Sequence, residues 1–475
     1  MASAELVRLP AREVVRLLAE REISPLEAID AAIARIEAVD PDVNAVPTLC
    51  IERARQHARR LETALPPEDR RGWLAGLPIL VKDLTDVAGV RTTYGSPIFA
   101  EHVPERSDIL VERLEARGAI VLGKTNTPEF GAGANTFNEV FGATRNPWNT
   151  ALTCGGSSGG SAVALATGMA WLATGSDLGG SLRTPAAFCA VVGLRPSPGR
   201  VPHGPSLTPF QTLSVEGPMA RDVRDLALFL DAMSGFDPRD PLSFESGRSS
   251  FTDAVGWPPK LRRVAFSPDL GGITPVDPEI AHICREAAGR FRELGADMVE
   301  NAPDLSPAVE AFTVLRAEHF VTARAPLLEA HRARLKPEVV WNIEHGLRLT
   351  AADIGRAERL RAAMLQNTVR FFEDHDLLLC PAAVVPPFPV EIRWIEELAG
   401  HRFPSYVDWL TITYAITLTS CPAISVPCGF TANGLPVGLQ IVAPLRGEAL
   451  LLRAAVAFED LIGIASQLPI DPRAG

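Results

Sequence analysis

The chain has 475 residues, 47% hydrophobic and 22% charged, a composition that fits a soluble globular protein with a sizeable core. A net charge of −11 argues against a nucleic-acid partner or an anionic membrane surface. No run of about 18 apolar residues occurs and Glu5 and Arg8 come early, so no membrane span and no secretory signal are expected. The seven cysteines are scattered and odd in number, which suits reduced, buried thiols in a cytoplasmic enzyme.

Residues 1–64 read as helices. Ser24-Pro25-Leu26-Glu27 is a capping box with proline at the first helical position, opening a helix that runs to about Val39 and stops at Asp40-Pro41. The short apolar run Gly76–Val81 fits a buried strand, with Lys82 at its end. A helix over 107–117 leads into a strand over 118–122, an Ala-rich helix spans Ala162–Trp171, and further strands fall near 172–176, 261–267, 297–300 and 377–380. This alternation predicts an α/β fold, an α/β/α sandwich around a large, mostly parallel mixed sheet. Residues 303–375 read as helical, and 382–411, rich in proline and aromatics, as a long loop with a short helix; 303–411 is expected to cover the site. Strands at 423–427 and 437–442 and a helix over 446–462 complete the pattern. No repeat or long linker divides the chain, so one domain over 1–475 is expected.

Several motifs promise chemistry that their surroundings do not support. Gly118–Thr125 matches the phosphate-loop pattern, but a helix precedes it and its variable positions are themselves the strand. Gly155-Gly156-Ser157-Ser158-Gly159 matches the nucleophile elbow of an α/β-hydrolase-type esterase. That elbow needs a strand leading in and a late histidine base; here Arg145–Thr150 reads as a loop and the last histidine is His401. No histidine stands in a ligand pattern, and no metal is expected. Cys154 abuts the serine turn without a histidine nearby in sequence to make a thiolate. Cys421 and Cys428 flank a strand and read as packing residues.

What remains is Lys82, Ser157 and Ser181. The two serines sit in glycine-rich turns at 155–161 and 175–183, joined by the Ala-rich helix. Of 46 basic residues only four are lysine, Lys82, Lys124, Lys260 and Lys336. Unlike arginine, a lysine in apolar surroundings can lose its proton.

These segments resemble the amidase signature family. The likeness covers G-L-P-I-L-V-K-D at 76–83, G-K-T-N-T-P-E-F at 123–130, both serine turns, P-A-I-S-V-P at 422–427 and G-L-P-V-G-L-Q-I at 434–441. Cys154 and Leu178 depart from the family's usual proline and threonine. The resemblance implies an amidase signature fold and a cofactor-free amide hydrolase. Ser181 would be its nucleophile, Ser157 a proton-relaying serine on a cis peptide bond, and Lys82 the base. Backbone N–H groups of Leu178, Gly179, Gly180 and Ser181 would form the oxyanion hole, with Ser158, Asp177 and Arg183 in support.

Such a base must be neutral at rest. Lowering a lysine pKa from about 10.4 to about 7 takes roughly 4.6 kcal/mol of environmental bias, which desolvation at a strand end supplies. Asp83 would oppose it unless it points elsewhere, as expected here. The substrate class is an aryl or alkyl amide, with carbamates and esters offering the same carbonyl. Trp394, Phe403, Tyr406 and Trp409 are candidates for lining its pocket. The expected partner is a small molecule, and the protein a monomer or homodimer. The alternatives are the glutamine-hydrolysing component of a tRNA-dependent amidotransferase, which works only in complex with its partners, and a catalytically dead binding protein.

Overall fold

Eleven strands form one sheet in the computed structural model, which describes residues 3–63, 67–247 and 249–474. In chain order they are β1 Thr48–Leu49, β2 Pro78–Lys82, β3 Ile120–Thr125, β4 Leu172–Asp177, β5 Val192–Arg195, β6 Val215–Ala220, β7 Arg263–Phe266, β8 Asp297–Glu300, β9 Leu377–Pro381, β10 Ala423–Phe430 and β11 Pro436–Val442. Across the sheet the order is β1-β3-β2-β4-β6-β5-β10-β11-β9-β7-β8. Parallel pairing holds in two blocks, β3-β2-β4 and β9-β7-β8. The run from β4 through β6, β5, β10 and β11 to β9 is antiparallel.

The sheet is therefore more mixed than strand–helix alternation suggests. Three of the five antiparallel pairings in that run involve β5 or β6, two central strands absent from the sequence expectation. Their stretches, V-G-L-R and V-E-G-P-M-A, carry Gly193, Gly217 and Pro218, residues that weaken a strand signal. Pro218 is tolerated because β6 pairs with β5 only at Met219 and Ala220.

Side chains alternate between two cores, as a period of two demands. In β9, Leu377 and Leu379 join one hydrophobic cluster while Leu378 and Cys380 join the other. In β7, Val264 and Phe266 likewise face one way and Ala265 the other. A sheet with a core on each face is the layered sandwich expected. Five helices matter for the site: α1 Gly159–Ala166, α2 Arg183–Cys189, α3 Ala308–His331, α4 Pro337–Leu347 and α5 Ala351–Asp374. The Ala-rich helix is shorter than expected, ending before the turn at Gly168 (φ +78°).

Positions 65, 66, 248 and 475 of the expected domain lie outside the described residues, as do positions 1, 2 and 64 of the expected N-terminal helical block. That block is not wholly helical: Thr48–Leu49 pairs antiparallel with β3 as the edge strand β1. Within it, the capping box forms as read: Ser24 Oγ accepts from Glu27 N at 3.2 Å and Glu27 Oε2 accepts from Ser24 N at 2.7 Å. The helix then runs on through Pro41 to Val43. Asp40 Oδ1 takes the Ala45 and Val46 N–H groups at 2.6 and 3.1 Å, and Asn44 (φ +53°) closes the helix. The stretch before the first serine turn is a small hairpin outside the main sheet, Arg145–Asn146 against Asn149–Thr153, where a loop was expected.

Candidate active site

Lys82 ends β2 with its side chain wholly buried. Its backbone N–H donates to Thr174 Oγ1 of β4 at 3.1 Å, which fixes the strand end beside the serine turns. Its Nζ meets three hydroxyls: Ser157 Oγ at 2.8 Å, Ser158 Oγ at 2.8 Å and Ser176 Oγ at 3.0 Å. Among the described residues it has no carboxylate ion pair. Burial pushes the Lys82 ammonium down to about 7, against the upward pull of Glu216 and Asp177. Asp83 turns away, as expected. Its carboxylate lies 3.2 Å from Lys124 Nζ and accepts the Thr93 hydroxyl at 2.6 Å.

Ser157 and Ser158 form the turn that opens α1, and the Gly156–Ser157 peptide bond is cis. A serine before a helix normally caps it with its hydroxyl. Ser158 instead turns Oγ toward β4, donating to Ser176 O and accepting from Ser176 N, both at 3.3 Å. Its own N–H donates to Ser181 O at 3.2 Å, tying the two serine turns together. Gly175 permits this approach, since a Cβ there would stand 2.8 Å from Ser158 Oγ.

The second turn, Asp177–Ser181, is organised by one buried carboxylate. Asp177 accepts from Gly180 N (3.0 Å), Leu182 N (3.1 Å), Arg183 Nε (3.0 Å) and Arg183 Nη2 (2.8 Å). Burial raises its pKa, but the Arg183 and Arg195 guanidiniums overcome that and hold it well below the usual carboxylate range. This corrects one expectation. The Gly180 N–H is taken by Asp177, because a buried carboxylate collects donors from its own turn, whereas those of Leu178, Gly179 and Ser181 make no hydrogen bond among the described residues. Gly180 (φ +116°) packs so closely that a Cβ would fall 2.4 Å from Thr413 Oγ1, and that threonine donates to Gly179 O at 2.7 Å. The Ser181 hydroxyl is half-buried and unbonded among the described residues.

Ser157, Ser176, Leu178 and Ser181 open onto a cavity of about 580 Å³. Its apolar wall is Tyr94, Phe99 and Phe130, with ring centroids 5.2 Å apart for the first two. Helix α3 contributes Arg316, His319, Phe320, Ala323, Arg324 and Leu327, and the 203–216 segment supplies His203, Leu207 and Glu216.

The four aromatics expected to line the pocket do not reach it. Phe403, Tyr406 and Trp409 are buried, and Trp394 half-buried, in the second hydrophobic cluster. Trp409 packs edge-on to Phe388, with centroids 5.7 Å apart. Tyr406 stands behind the wall, accepting from Arg316 Nη2 at 2.9 Å. Thus 303–375 covers the site through α3, while 382–411 supports it from outside. The lining of α3 did leave a trace in the sequence: residues 316, 319, 320, 323, 324 and 327 recur at the three-to-four spacing of one helix face.

The other candidates fall away on geometry. Cys154 is fully buried, off the cavity, and burial pushes its thiol up to about 12. Lys124 of the phosphate-loop decoy is locked inside by Asp83, Thr85 O and Thr92 Oγ1. Among the described residues no three His, Cys, Asp or Glu side chains group to hold a metal ion, and no helix is long and apolar enough to cross a membrane.

A family model described as Amidase matches residues 27–452. The chain is 37% identical over 476 residues to an acylamidase of Rhodococcus erythropolis, covering 99% of each protein. It is 38% identical over 474 residues to a glutamyl-tRNA(Gln) amidotransferase component of Thermus thermophilus, covering 95% of this chain and 96% of that one. The solved structure of a 6-aminohexanoate cyclic dimer hydrolase complexed with substrate superposes with a TM-score of 0.88 at 29% identity, covering 98% of this chain and 100% of that one. The chain belongs to the amidase family, the amidase signature enzymes, and is a hydrolase of carbon–nitrogen amide bonds.

Proposed function

We propose that the protein hydrolyses small amides through a seryl acyl-enzyme, with Ser181 as nucleophile, Ser157 as proton relay and Lys82 as base. The observation that carries this reading is the surroundings of Lys82: a buried amine among three hydroxyls, with burial lowering its pKa to about 7. A neutral amine has two N–H groups to give and one lone pair to accept. Donation to Ser158 and Ser176 and acceptance from Ser157 uses all three.

Ser181 Oγ attacks the carbonyl carbon while its proton moves to Ser157 Oγ and that of Ser157 moves to Lys82 Nζ. The N–H groups of Leu178, Gly179 and Ser181 stabilise the oxyanion. When the C–N bond breaks, Ser157 protonates the departing amine and recovers its proton from Lys82. Water then attacks the ester by the same relay, releasing the acid and Ser181. Ser158 orients the amine of Lys82, while Asp177 and Arg183 hold the oxyanion turn. The reaction needs no cofactor.

The aromatic wall supports an aryl or alkyl amide as substrate, and carbamates and esters present the same carbonyl. Similarity to an acylamidase and to a cyclic dimer hydrolase supports the same range. We place the reaction on a single domain and in the cytoplasm, the latter on seven free cysteines. A second reading, the glutamine-hydrolysing component of an amidotransferase, is favoured by the 38% identity to such a protein. Purified protein assayed alone on anilides, aliphatic amides, carbamates, p-nitrophenyl esters and glutamine separates the two. Turnover of the small amides, with an acyl adduct on Ser181 by mass spectrometry and none in Ser181→Ala, is the expected result. Activity on glutamine only, and only with partner proteins, would favour the second reading.

A further inference from the structure

The cavity carries charge that the proposed reaction does not use. Asp86, Asp108 and Glu216 all line it. Among the described residues none of the three is ion-paired with a lysine or arginine. Asp86 accepts the Tyr94 hydroxyl at 2.7 Å, and Asp108 accepts the Asp86 N–H at 2.9 Å. Burial, with Asp86 and Glu216 close by, pushes the Asp108 carboxyl up to about 7.

Glu216 is the most exceptional of them. It is 8% exposed, and its Oε2 is shielded from solvent with no hydrogen-bond partner among the described residues. Its other oxygen has His203 Nδ1 at 3.7 Å, too far for a hydrogen bond. A buried carboxylate oxygen left unbonded costs free energy that a bound donor would recover. Glu216 also lies beside the reacting groups, opposite Ser176 in the β4–β6 ladder, and the Ser176 hydroxyl contacts Lys82. Of the cavity's guanidiniums, Arg316 bonds Asn342 and Tyr406 behind the wall, and Arg324 stacks 4.7 Å over Phe130 of the aromatic wall.

We infer that Glu216, with Asp108 on the same wall, binds a primary ammonium group of the substrate close to the scissile amide. This rests on the reading of the cavity as the amide-hydrolase site. Among the described residues no three His, Cys, Asp or Glu side chains group as metal ligands, and the unbonded Glu216 oxygen asks for a hydrogen-bond donor. A primary ammonium brings three N–H donors to the oxygens of the two side chains. Charge-assisted bonds of this kind separate a cation from its neutral counterpart by about tenfold or more.

The test is competitive binding of n-pentylammonium, 1-pentanol and pentanoate to the full-length protein. Inhibition of amide hydrolysis is measured with the wild type and Glu216→Gln, and calorimetry with Ser181→Ala. The ammonium is expected to bind at least about tenfold tighter than the alcohol. Ser181→Ala should keep that preference, and Glu216→Gln should reduce it to within about twofold. Equal binding of ammonium and alcohol, tighter binding of pentanoate, or a preference that survives Glu216→Gln would overturn the inference. Asp108→Asn, expected to weaken the same preference, serves if Glu216→Gln does not fold. Turnover assays and binding calorimetry on Ser181→Ala together separate the two claims: an active Ser181→Ala enzyme breaks the nucleophile assignment, whereas an inactive one without ammonium preference breaks only the cation subsite.

Discussion

Lys82 ends β2 and Lys124 stands one residue before the end of the neighbouring parallel β3, both fully buried, and their surroundings give them different chemistry. Lys124 stands level with Val81 in the ladder, so the two amines point to opposite faces of the sheet. Lys124 donates to Thr85 O and Thr92 Oγ1 at 2.8 Å each and faces Asp83 at 3.2 Å. Lys82 meets only hydroxyls. Burial lowers the pKa of both, and at Lys124 the adjacent carboxylate pulls it back. Burial favours the neutral amine of a lysine, and among the described residues no carboxylate contacts Lys82 to hold its proton. Asp83 is the residue that sorts the pair, by turning toward one lysine and away from the other.

The largest expected effect comes from removing the proposed base, Lys82. Lys82→Met should lower kcat/KM by about 10³-fold or more while raising the melting temperature, because a desolvated amine becomes an apolar side chain of similar length. The folded-state pKa of Lys82 is depressed, so the unfolded chain binds the extra proton between about pH 7 and 10. The stability gain of Lys82→Met should therefore shrink as pH rises through that window. A stability gain independent of pH would contradict the depressed pKa.

Next comes Lys124→Met, which strands Asp83 in the interior. Denaturant melts should show a loss of about 3–5 kcal/mol, with kcat/KM of the folded fraction within a few fold of wild type. Lys124→Arg keeps the charge and should cost about 1–3 kcal/mol through overpacking. If Lys124→Arg were as inactive as Lys82→Arg, the contrast drawn between the two lysines would fail.

A smaller effect tests the two aromatic regions. Tyr94→Leu or Phe130→Leu should change the ratio of aryl to short aliphatic activities by about tenfold, since these rings line the cavity. Phe403→Leu and Trp409→Phe should lower the melting temperature and leave that ratio unchanged, because both side chains pack behind the wall. The smallest effect is expected for Cys154→Ala, with activity within about twofold of wild type, measured by initial rates on the same substrates. A loss beyond about tenfold would revive a role for the thiol.

The elements that carry the proposed chemistry were legible because they are local. The strand ending in Lys82 and the two glycine–serine turns each need only a few consecutive residues, as does the capping box at Ser24, which starts a helix outside the cavity lining. The pocket was not, because its walls come from residues about 94–130, 203–216 and 316–327, which only the tertiary fold brings together. The stripe along α3 was present in the sequence, but nothing local tells a cavity-lining face from a core-facing one. The aromatics of 394–409 look like pocket residues by composition, yet they fill the second core. Glu216 was hidden because its strand, broken by Gly217 and Pro218, was itself unrecognised.

The pH dependence of kcat/KM, measured for the wild type beside Lys82→Arg and Lys124→Arg, tests the central claim most directly. The wild type should rise with an apparent pKa near 7 and then level off, far below the value of about 10.4 for free lysine. Lys124→Arg should follow the same curve, and Lys82→Arg should be inactive across it, since guanidinium stays charged and cannot accept a proton. An active Lys82→Arg enzyme with the wild-type profile would contradict the assignment of Lys82 as the base.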